Sequence, residues 1–173
     1  MHAKSCHGHV HICYRIRTLS FACVLGFWAL HIVGARWIYS FVPYDAWSQL
    51  LVGRSLSEVF DWQRNHYDRL VHFASGLLGA PPGWEFLSRI GLRGAAAAWV
   101  SVALVLAVGA VYEILEWQIA VRLSPETAES YNGQQGDVWD PQKDMALALA
   151  GAILAVLIRQ LSVLVRDTSF RAT

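Results

Sequence analysis

Charged side chains are scarce in this chain, and the two signs nearly balance. Asp, Glu, Lys and Arg make up 16% of its 173 residues, whereas soluble globular domains contain about 25%. The formal net charge is only +1 at pH 7, so the chain lacks the basic surface that a nucleic-acid-binding protein requires. These two shortages argue against a soluble fold and exclude a nucleic-acid partner.

Cysteine is also scarce, and the familiar short catalytic motifs are absent. The three cysteines lie near the N-terminus, and an odd number in this arrangement predicts no disulfide framework. The sequence has no nucleophilic Ser or Cys motif, no phosphate-binding loop and no dinucleotide fingerprint. Residues 6–13 mix Cys and His and are able to bind a metal, but their spacing matches no zinc pattern. The alternative is a disordered start, and we predict a disordered tail over residues 1–17.

Long hydrophobic runs dominate the rest of the chain, which is 55% hydrophobic overall. Four of them predict membrane-spanning helices, over residues 18–35, 70–84, 94–120 and 140–165. Eighteen uncharged residues form a helix of about 27 Å, close to the ~30 Å hydrocarbon core. The second run is shorter, so we extend it back to Asp61 as the N-cap. The fourth begins at Asp140-Pro141, a favourable helix start.

Residues 45–60 mix apolar and polar side chains. This pattern predicts either a short amphipathic helix on the membrane surface or an ordinary loop. The sequence as a whole predicts an all-α integral membrane helical bundle, with about four transmembrane helices plus one interfacial amphipathic helix. One transmembrane domain covers residues 18–166, and a C-terminal tail covers residues 167–173.

Polar residues inside the runs gather near one end of each run. The first run ends with His31 and Arg36, the second begins with Asp68 and His72, the third ends with Glu113 and Glu116, and the fourth begins with Asp140 and Asp144. Consecutive spans alternate in direction, so all four sets fall at the same membrane face. A carboxylate near hydrocarbon costs at least ~2.5 kcal/mol. We therefore expect these side chains to face the bundle interior or a polar cavity.

The spacing of these residues indicates chemistry. Asp68 and His72 are four residues apart and share a helix face, where an aspartate orients an imidazole as a general base or metal ligand. Glu113 and Glu116 form a second pair, suited to holding a proton or a hard cation. We predict these four as catalytic candidates, with a divalent cation as a candidate cofactor. The candidate substrate-binding residues are Asn65, Tyr67, Asp140, Gln142 and Asp144.

Three functions remain open at this point. The first is an enzyme or binding site for lipid-linked or envelope material. The second is a structural or assembly protein in which Arg64 or Arg69 pairs with the glutamates, Asp140 only caps its helix and His72 satisfies a buried acceptor. The third is a small proton-coupled transporter, which ranks lower because the second half of every span is almost free of polar groups. The glycines at 76, 79, 109 and 151 are predicted to allow close helix packing.

Three motifs carry a family resemblance: residues 64–73 (RNHYDRLVHF), 112–117 (YEILEW) and 135–145 (QGDVWDPQKDM). Through them the chain resembles the YjdF-type family of small bacterial inner-membrane proteins of unknown function, over about residues 30–157. The resemblance implies a multi-pass protein of the bacterial inner (plasma) membrane and supplies no activity. More remotely, the chain is similar to VanZ-like membrane proteins. If the N-terminus is placed in the cytoplasm, the cytoplasmic side carries eight Lys and Arg residues and the outer side carries six. Because cytoplasmic loops are enriched in Lys and Arg, this difference predicts a cytoplasmic N-terminus.

Overall fold

The computed structural model describes residues 16–122 and 134–171, with side chains described up to residue 162. Every secondary-structure element in this part is an α-helix: α1 (Thr18–Arg36), α2 (Tyr44–Val52), α3 (Leu56–Phe60), α4 (Tyr67–Arg89), α5 (Gly94–Arg122) and α6 (Asp140–Arg171). The all-α prediction is therefore confirmed. The predicted Cys and His metal site at residues 6–13 lies outside the described residues, as does most of the predicted N-terminal tail.

Three of the helices are long and apolar enough to cross a membrane. They are α1, α5 and residues Asp140–Ser162 of α6. The 19 residues of α1 measure about 28 Å, which matches the hydrocarbon core. The longer α5 and α6 extend beyond it. Length and composition together confirm a membrane-embedded helical bundle.

The fourth long helix, α4, lies at the centre and packs against α1, α5 and α6. Its 23 residues measure about 34 Å, which is enough to span a bilayer. Its composition is more polar than that of the three apolar helices, so it is not one of the candidate spans. Its neighbours bury Asp68 and His72, and this enclosure lets a helix at membrane depth carry such groups. The predicted count of about four spans therefore corresponds to three apolar helices around one enclosed helix.

The start of α4 differs from the sequence prediction. Asp61 does not cap this helix; it ends α3 in the left-handed conformation, with φ of 52°. The helix begins six residues later, at Tyr67, and gains its length at the other end by continuing through Pro81 and Pro82 to Arg89. A proline removes one backbone donor but has a helical φ, so packing on several sides can maintain the helix through both residues.

Residues 45–60 form two short helices instead of one. Gly53, with φ of 75°, ends α2, and Ser55 starts α3 with Glu58 in a capping box. Asp45 accepts hydrogen bonds from the backbone N–H and the hydroxyl of Ser57, at 2.9 Å and 2.6 Å, and so joins the two helices. Several apolar side chains on them are more than half exposed, namely Leu50, Leu51, Val52, Val59 and Phe60. The interfacial location stays a prediction.

The helices α4 and α6 touch through their backbones. A Cβ atom added at Gly76 would lie 1.9 Å from the carbonyl oxygen of Ala148, and one added at Gly151 would lie 2.1 Å from the carbonyl oxygen of Phe73. No side chain fits at either position without moving a helix. The predicted packing role is therefore confirmed for these two glycines.

The other two predicted packing glycines do not bring backbones together. A Cβ atom at Gly79 would only reach the Val105 side chain, at 3.4 Å, and one at Gly109 would meet nothing within 4 Å. The prediction is wrong for Gly109 because no other helix passes in front of it. The helices α1 and α5 both pack on α4 but make little contact with each other, so a gap separates them.

The end of the bundle opposite the polar groups has a dense core. Small and aliphatic side chains surround Trp84 there, and the buried ones include Ala80, Ala97, Ala98, Val102, Ala152 and Val156. The guanidinium carbon of Arg159 lies 3.6 Å from the Trp84 ring centroid, a cation–π geometry. Within the described residues, the bundle therefore has a tightly packed apolar end and a polar end.

Candidate functional site

At the polar end, α4, α5 and α6 bring together Asp68, His72, Glu113 and Asp144, here called the acid–histidine cluster. The His72 Nε2 atom lies 3.7 Å from Asp68 Oδ1 and 3.8 Å from Glu113 Oε1. One ligand atom each from Asp68, His72 and Asp144 lies within 4.8 Å of the others. All four side chains are buried. The structure thus juxtaposes residues separated by up to 76 positions in the chain.

The helix directions explain this arrangement. Asp68 and His72 occupy the first two turns of α4, Glu113 lies in the C-terminal half of α5, and Asp144 lies one turn after the start of α6. Antiparallel crossing of α4 by α5 brings the late part of one beside the early part of the other. The predicted gathering at a single end is what the structure shows, whereas the function of these residues stays a prediction.

Two atoms of the acid–histidine cluster lack the partners that buried carboxylates normally have. Glu113 Oε1 and Asp144 Oδ1 are buried and form no hydrogen bond to any described residue. A buried carboxylate is costly unless a hydrogen bond, a proton or a cation compensates its charge. Among the described side chains, those of residues 16–122 and 134–162, no Lys or Arg forms an ion pair with Asp68, Glu113 or Asp144. The cluster therefore concentrates acceptors without matching donors.

A second group, the arginine–aspartate cluster, consists of Arg64, Arg69, Asp137 and Asp140. Arg64 Nη1 lies 2.8 Å from Asp140 Oδ1, and Arg69 Nη2 lies 2.6 Å from Asp137 Oδ2. The prediction that these arginines pair with Glu113 and Glu116 is not met by these contacts. The arginines lie at the start of α4, closer to the segment that opens α6 than to α5. Asp140 is the first residue of α6, and its carboxylate pairs with both arginines.

Asp137, which precedes α6 in the arginine–aspartate cluster, stays ionised throughout the neutral pH range. A hydrogen bond from Lys143 is the largest influence on Asp137, and it holds the pKa of that carboxyl at about 2, below its usual 3.8. Because this folded-state pKa is depressed, the stabilisation is fully present above pH 3.8. It is lost only as the pH falls through about 2.

Four of the predicted substrate-binding residues lie outside the acid–histidine cluster, and one of them, Asp140, belongs to the arginine–aspartate cluster. The Asn65 side-chain amide donates to the Val42 carbonyl at 2.8 Å, and the Tyr67 hydroxyl donates to the Leu30 carbonyl at 3.0 Å. Both bonds connect α4 and its leading loop to the α1–α2 region. Gln142 is exposed. Of the five predicted substrate-binding residues, the structure brings only Asp144 into the cluster.

A cavity of about 430 Å³ adjoins the acid–histidine cluster between α1, α4 and α5. Its lining on α4 runs from Asp68 to Gly83, about 22 Å along the helix, so the cavity is elongated. Most of the wall is apolar and includes Val24, Phe27, Trp28, Leu78, Val105 and Val108. Trp28 and Val108 are also more than half exposed, so the cavity opens sideways through the gap between α1 and α5.

Aromatic residues that the sequence did not single out surround the polar end of the cavity. The Tyr112 ring packs edge-on against His72, with 5.9 Å between centroids, and its hydroxyl hydrogen-bonds Glu116 one turn away. The Tyr39 hydroxyl lies 2.8 Å from His31 Nδ1. Tyr112 could have been found from its four-residue spacing to Glu116. Tyr39 could not, since a left-handed turn with φ of 49° directs it back towards α1.

Comparisons with known proteins agree with these observations. Residues 9–163 match the family model described as "Predicted membrane protein (DUF2238)". Inner membrane protein YjdF of Escherichia coli (strain K12) is 37% identical over 127 residues, which cover 72% of this chain and 56% of the relative. The chain thus spans little more than half the length of that curated relative. No solved structure matches.

Proposed function

This chain belongs to the DUF2238 family of predicted membrane proteins, and on that premise we propose that it binds an amphiphilic, lipid-linked molecule within the membrane. In this proposal the hydrocarbon part lies in the cavity and the polar part meets the acid–histidine cluster. The YjdF-type resemblance is confirmed by the match to the curated relative. The VanZ-like similarity and the cytoplasmic N-terminus stay predictions.

One observation carries the proposal: the apolar cavity is continuous with a buried polar cluster. Asp68 and His72 line the cavity at one end, and the remainder of its wall is largely aliphatic and aromatic. Its volume falls within the ~300–1,000 Å³ of small-molecule sites. Its 22 Å length suits an extended chain better than a compact molecule. The lateral gap between α1 and α5 gives such a chain a path from the bilayer.

The polar end offers acceptors and one imidazole. Asp68 and His72 line the cavity, so a ligand group that donates hydrogen bonds would meet the carboxylate and the imidazole of these two residues first. With no cation bound, His72, with Asp68 beside it, is placed to accept a proton from a bound hydroxyl or water. These features support binding and acid–base chemistry at the same position. They support the proposal that the protein carries out acid–base chemistry on lipid-linked material.

The structural alternative accounts better for the arginine–aspartate cluster than for the acid–histidine cluster. In the former, each aspartate has at least one arginine partner, and the pairs tie the start of α4 to the start of α6. We assign this group a structural role, which is to hold the starts of α4 and α6 together. The proton-coupled transporter gains no support, because the dense core around Trp84 closes the opposite end of the bundle.

Filling the cavity should weaken ligand binding without unfolding the bundle. Gly109 lines the cavity, and a side chain there meets no other atom nearby, so Gly109→Leu should occupy the space of the hydrocarbon chain. We expect photolabelling of the purified protein by a diazirine-bearing palmitoyl amphiphile with a hydroxyl head group to fall by about fivefold or more. Mass spectrometry of the labelled peptides measures it.

Ala107→Leu is the matched control, because it adds the same side chain to an exposed position of α5 outside the cavity lining. Its labelling should equal that of the natural protein. Equal labelling of both leucine variants would refute occupation of this cavity.

A further inference from the structure

We propose that the acid–histidine cluster is a binding site for one divalent transition-metal cation, held by Asp68, His72 and Asp144, with Glu113 as a fourth ligand. The inference concerns the site of the proposed function. It rests on that function only in assigning the cation as the anchor for the polar part of the ligand. The cation site itself is argued from the geometry of the four side chains.

The first argument is the distances between the side chains. His72 Nε2 lies 3.7 Å from an Asp68 oxygen and 3.8 Å from a Glu113 oxygen, both longer than the 2.7–3.2 Å of an N–H···O hydrogen bond. Ligands bound at ~2.1 Å to a tetrahedral ion lie about 3.4 Å from each other. The atoms are therefore too far apart to bond directly and are spaced like ligands around an ion.

The second argument is that Glu113 and Asp144 each have a buried oxygen with no hydrogen-bond partner in the described part of the chain. Glu113 is only 8% exposed. Its unpartnered Oε1 faces the same imidazole nitrogen as Asp68 Oδ1 does. One cation held by Asp68, His72 and Asp144, whose ligand atoms lie within 4.8 Å of one another, would compensate the Asp144 carboxylate. Glu113 Oε1 lies 3.8 Å from the same imidazole and would join this set by a small movement. A protonated His72 would leave the Asp144 oxygen without a partner.

The third argument is the balance of charge around the cluster. Three carboxylates surround one imidazole, and the nearest arginines are engaged elsewhere: Arg64 and Arg69 form their ion pairs with Asp137 and Asp140. Buried carboxylates that lack hydrogen-bond donors are costly unless protons or a cation compensate their charge. A divalent ion supplies it in the centre of the group.

The donor set indicates which ion fits. One imidazole nitrogen with two or three carboxylate oxygens suits Zn²⁺, Mn²⁺ or Fe²⁺, whereas Ca²⁺ and Mg²⁺ prefer oxygen ligands only. Asp68 and His72 also line the cavity, whereas Glu113 and Asp144 do not. The ion would therefore lie at the boundary between cluster and cavity. A coordination position facing the cavity could receive the hydroxyl oxygen of the ligand's polar part.

The test is metal stoichiometry in detergent-purified protein. The chain is stripped with chelator, loaded with Zn²⁺ or Mn²⁺, passed through a desalting column and assayed by elemental mass spectrometry. We expect about one ion per chain in the natural protein, and a dissociation constant about 100-fold higher or more in Asp144→Asn and His72→Ala. Glu113→Gln should weaken binding by about tenfold, on the scale of a supporting ligand.

Asp61→Asn is the control, because Asp61 is exposed and asparagine tolerates its left-handed backbone; its metal content should be unchanged. Elution volume and circular dichroism check folding of every variant. No stoichiometric ion in the natural protein after loading overturns the inference, as does full metal content in folded Asp144→Asn. Should Asp144→Asn not fold, the metal content of the natural protein and of Glu113→Gln still decides.

Photolabelling of the same samples separates this inference from the proposed function. Metal binding without labelling contradicts amphiphile binding and leaves the cation site intact. Labelling of a protein that takes up no metal contradicts the cation site alone.

Discussion

Gly76→Ala is expected to destabilise the bundle by about 3 kcal/mol. The added Cβ would lie 1.9 Å from the carbonyl oxygen of Ala148 and 2.7 Å from the backbone nitrogen of Ala152. Both obstructing atoms belong to the backbone, so the clash is relieved only if α4 and α6 move apart. Thermal unfolding in detergent, followed by helical circular dichroism, measures the loss.

The same substitution at Gly109 provides the control, since a Cβ atom there meets nothing within 4 Å. Alanine is favoured over glycine in a helix by about 1 kcal/mol, so Gly109→Ala should leave stability unchanged or raise it. Opposite signs for one chemical change at two sites would identify backbone contact as the cause. A Gly76→Ala variant as stable as the natural chain would mean that α4 and α6 do not touch here.

Arg64→Met is expected to cost about 3 kcal/mol, because it leaves a buried aspartate without its main partner. Asp140 is only 1% exposed and receives two bonds from the Arg64 guanidinium, at 2.8 Å and 3.4 Å. Arg69 contacts the same carboxylate at 3.3 Å and compensates in part. The midpoint of thermal unfolding, measured as above, reports the change.

Removing the stranded charge should reverse much of this loss. The double variant Arg64→Met, Asp140→Asn is expected to be more stable than Arg64→Met alone, since no ionised group then remains buried and unpaired. Lys143→Met tests the effect of burial, because Lys143 is 49% exposed where it pairs with Asp137. Its loss should shift the midpoint of thermal unfolding far less than Arg64→Met does. If the double variant loses as much stability as Arg64→Met and Asp140→Asn lose separately, added together, Arg64 and Asp140 do not form a buried ion pair.

The helices and their polar end were predictable from sequence because both follow from one-dimensional patterns. Uncharged runs set the spans, and alternation of direction places Asp68, Glu113 and Asp144 at one end. Helix phase also separates the residues that open α6: Asp140 and Asp144 are four residues apart and share a face, whereas Gln142 is about 200° from Asp140. The exposure of Gln142 could therefore have been foreseen.

Other features depend on contacts that no local pattern encodes. Asp61 is a good N-cap by residue type, yet the chain uses it to end α3 in the left-handed region. Which acids receive Arg64 and Arg69 depends on how the segment before α6 passes α4. The cavity beside Gly109 exists because α1 and α5 do not close against each other, which is a property of the assembled bundle.

Because the cavity opens to the bilayer between α1 and α5, the free energy of ligand binding is counted from the ligand in lipid and not from the ligand in water. A ligand arriving through this opening leaves acyl chains, not water, and lipid tails are about as apolar as leucine. Moving a hydrocarbon tail from bilayer to protein therefore contributes little free energy, however well the tail fits. Selectivity among membrane amphiphiles then falls almost entirely to the head group, so chain length should matter far less than head-group chemistry.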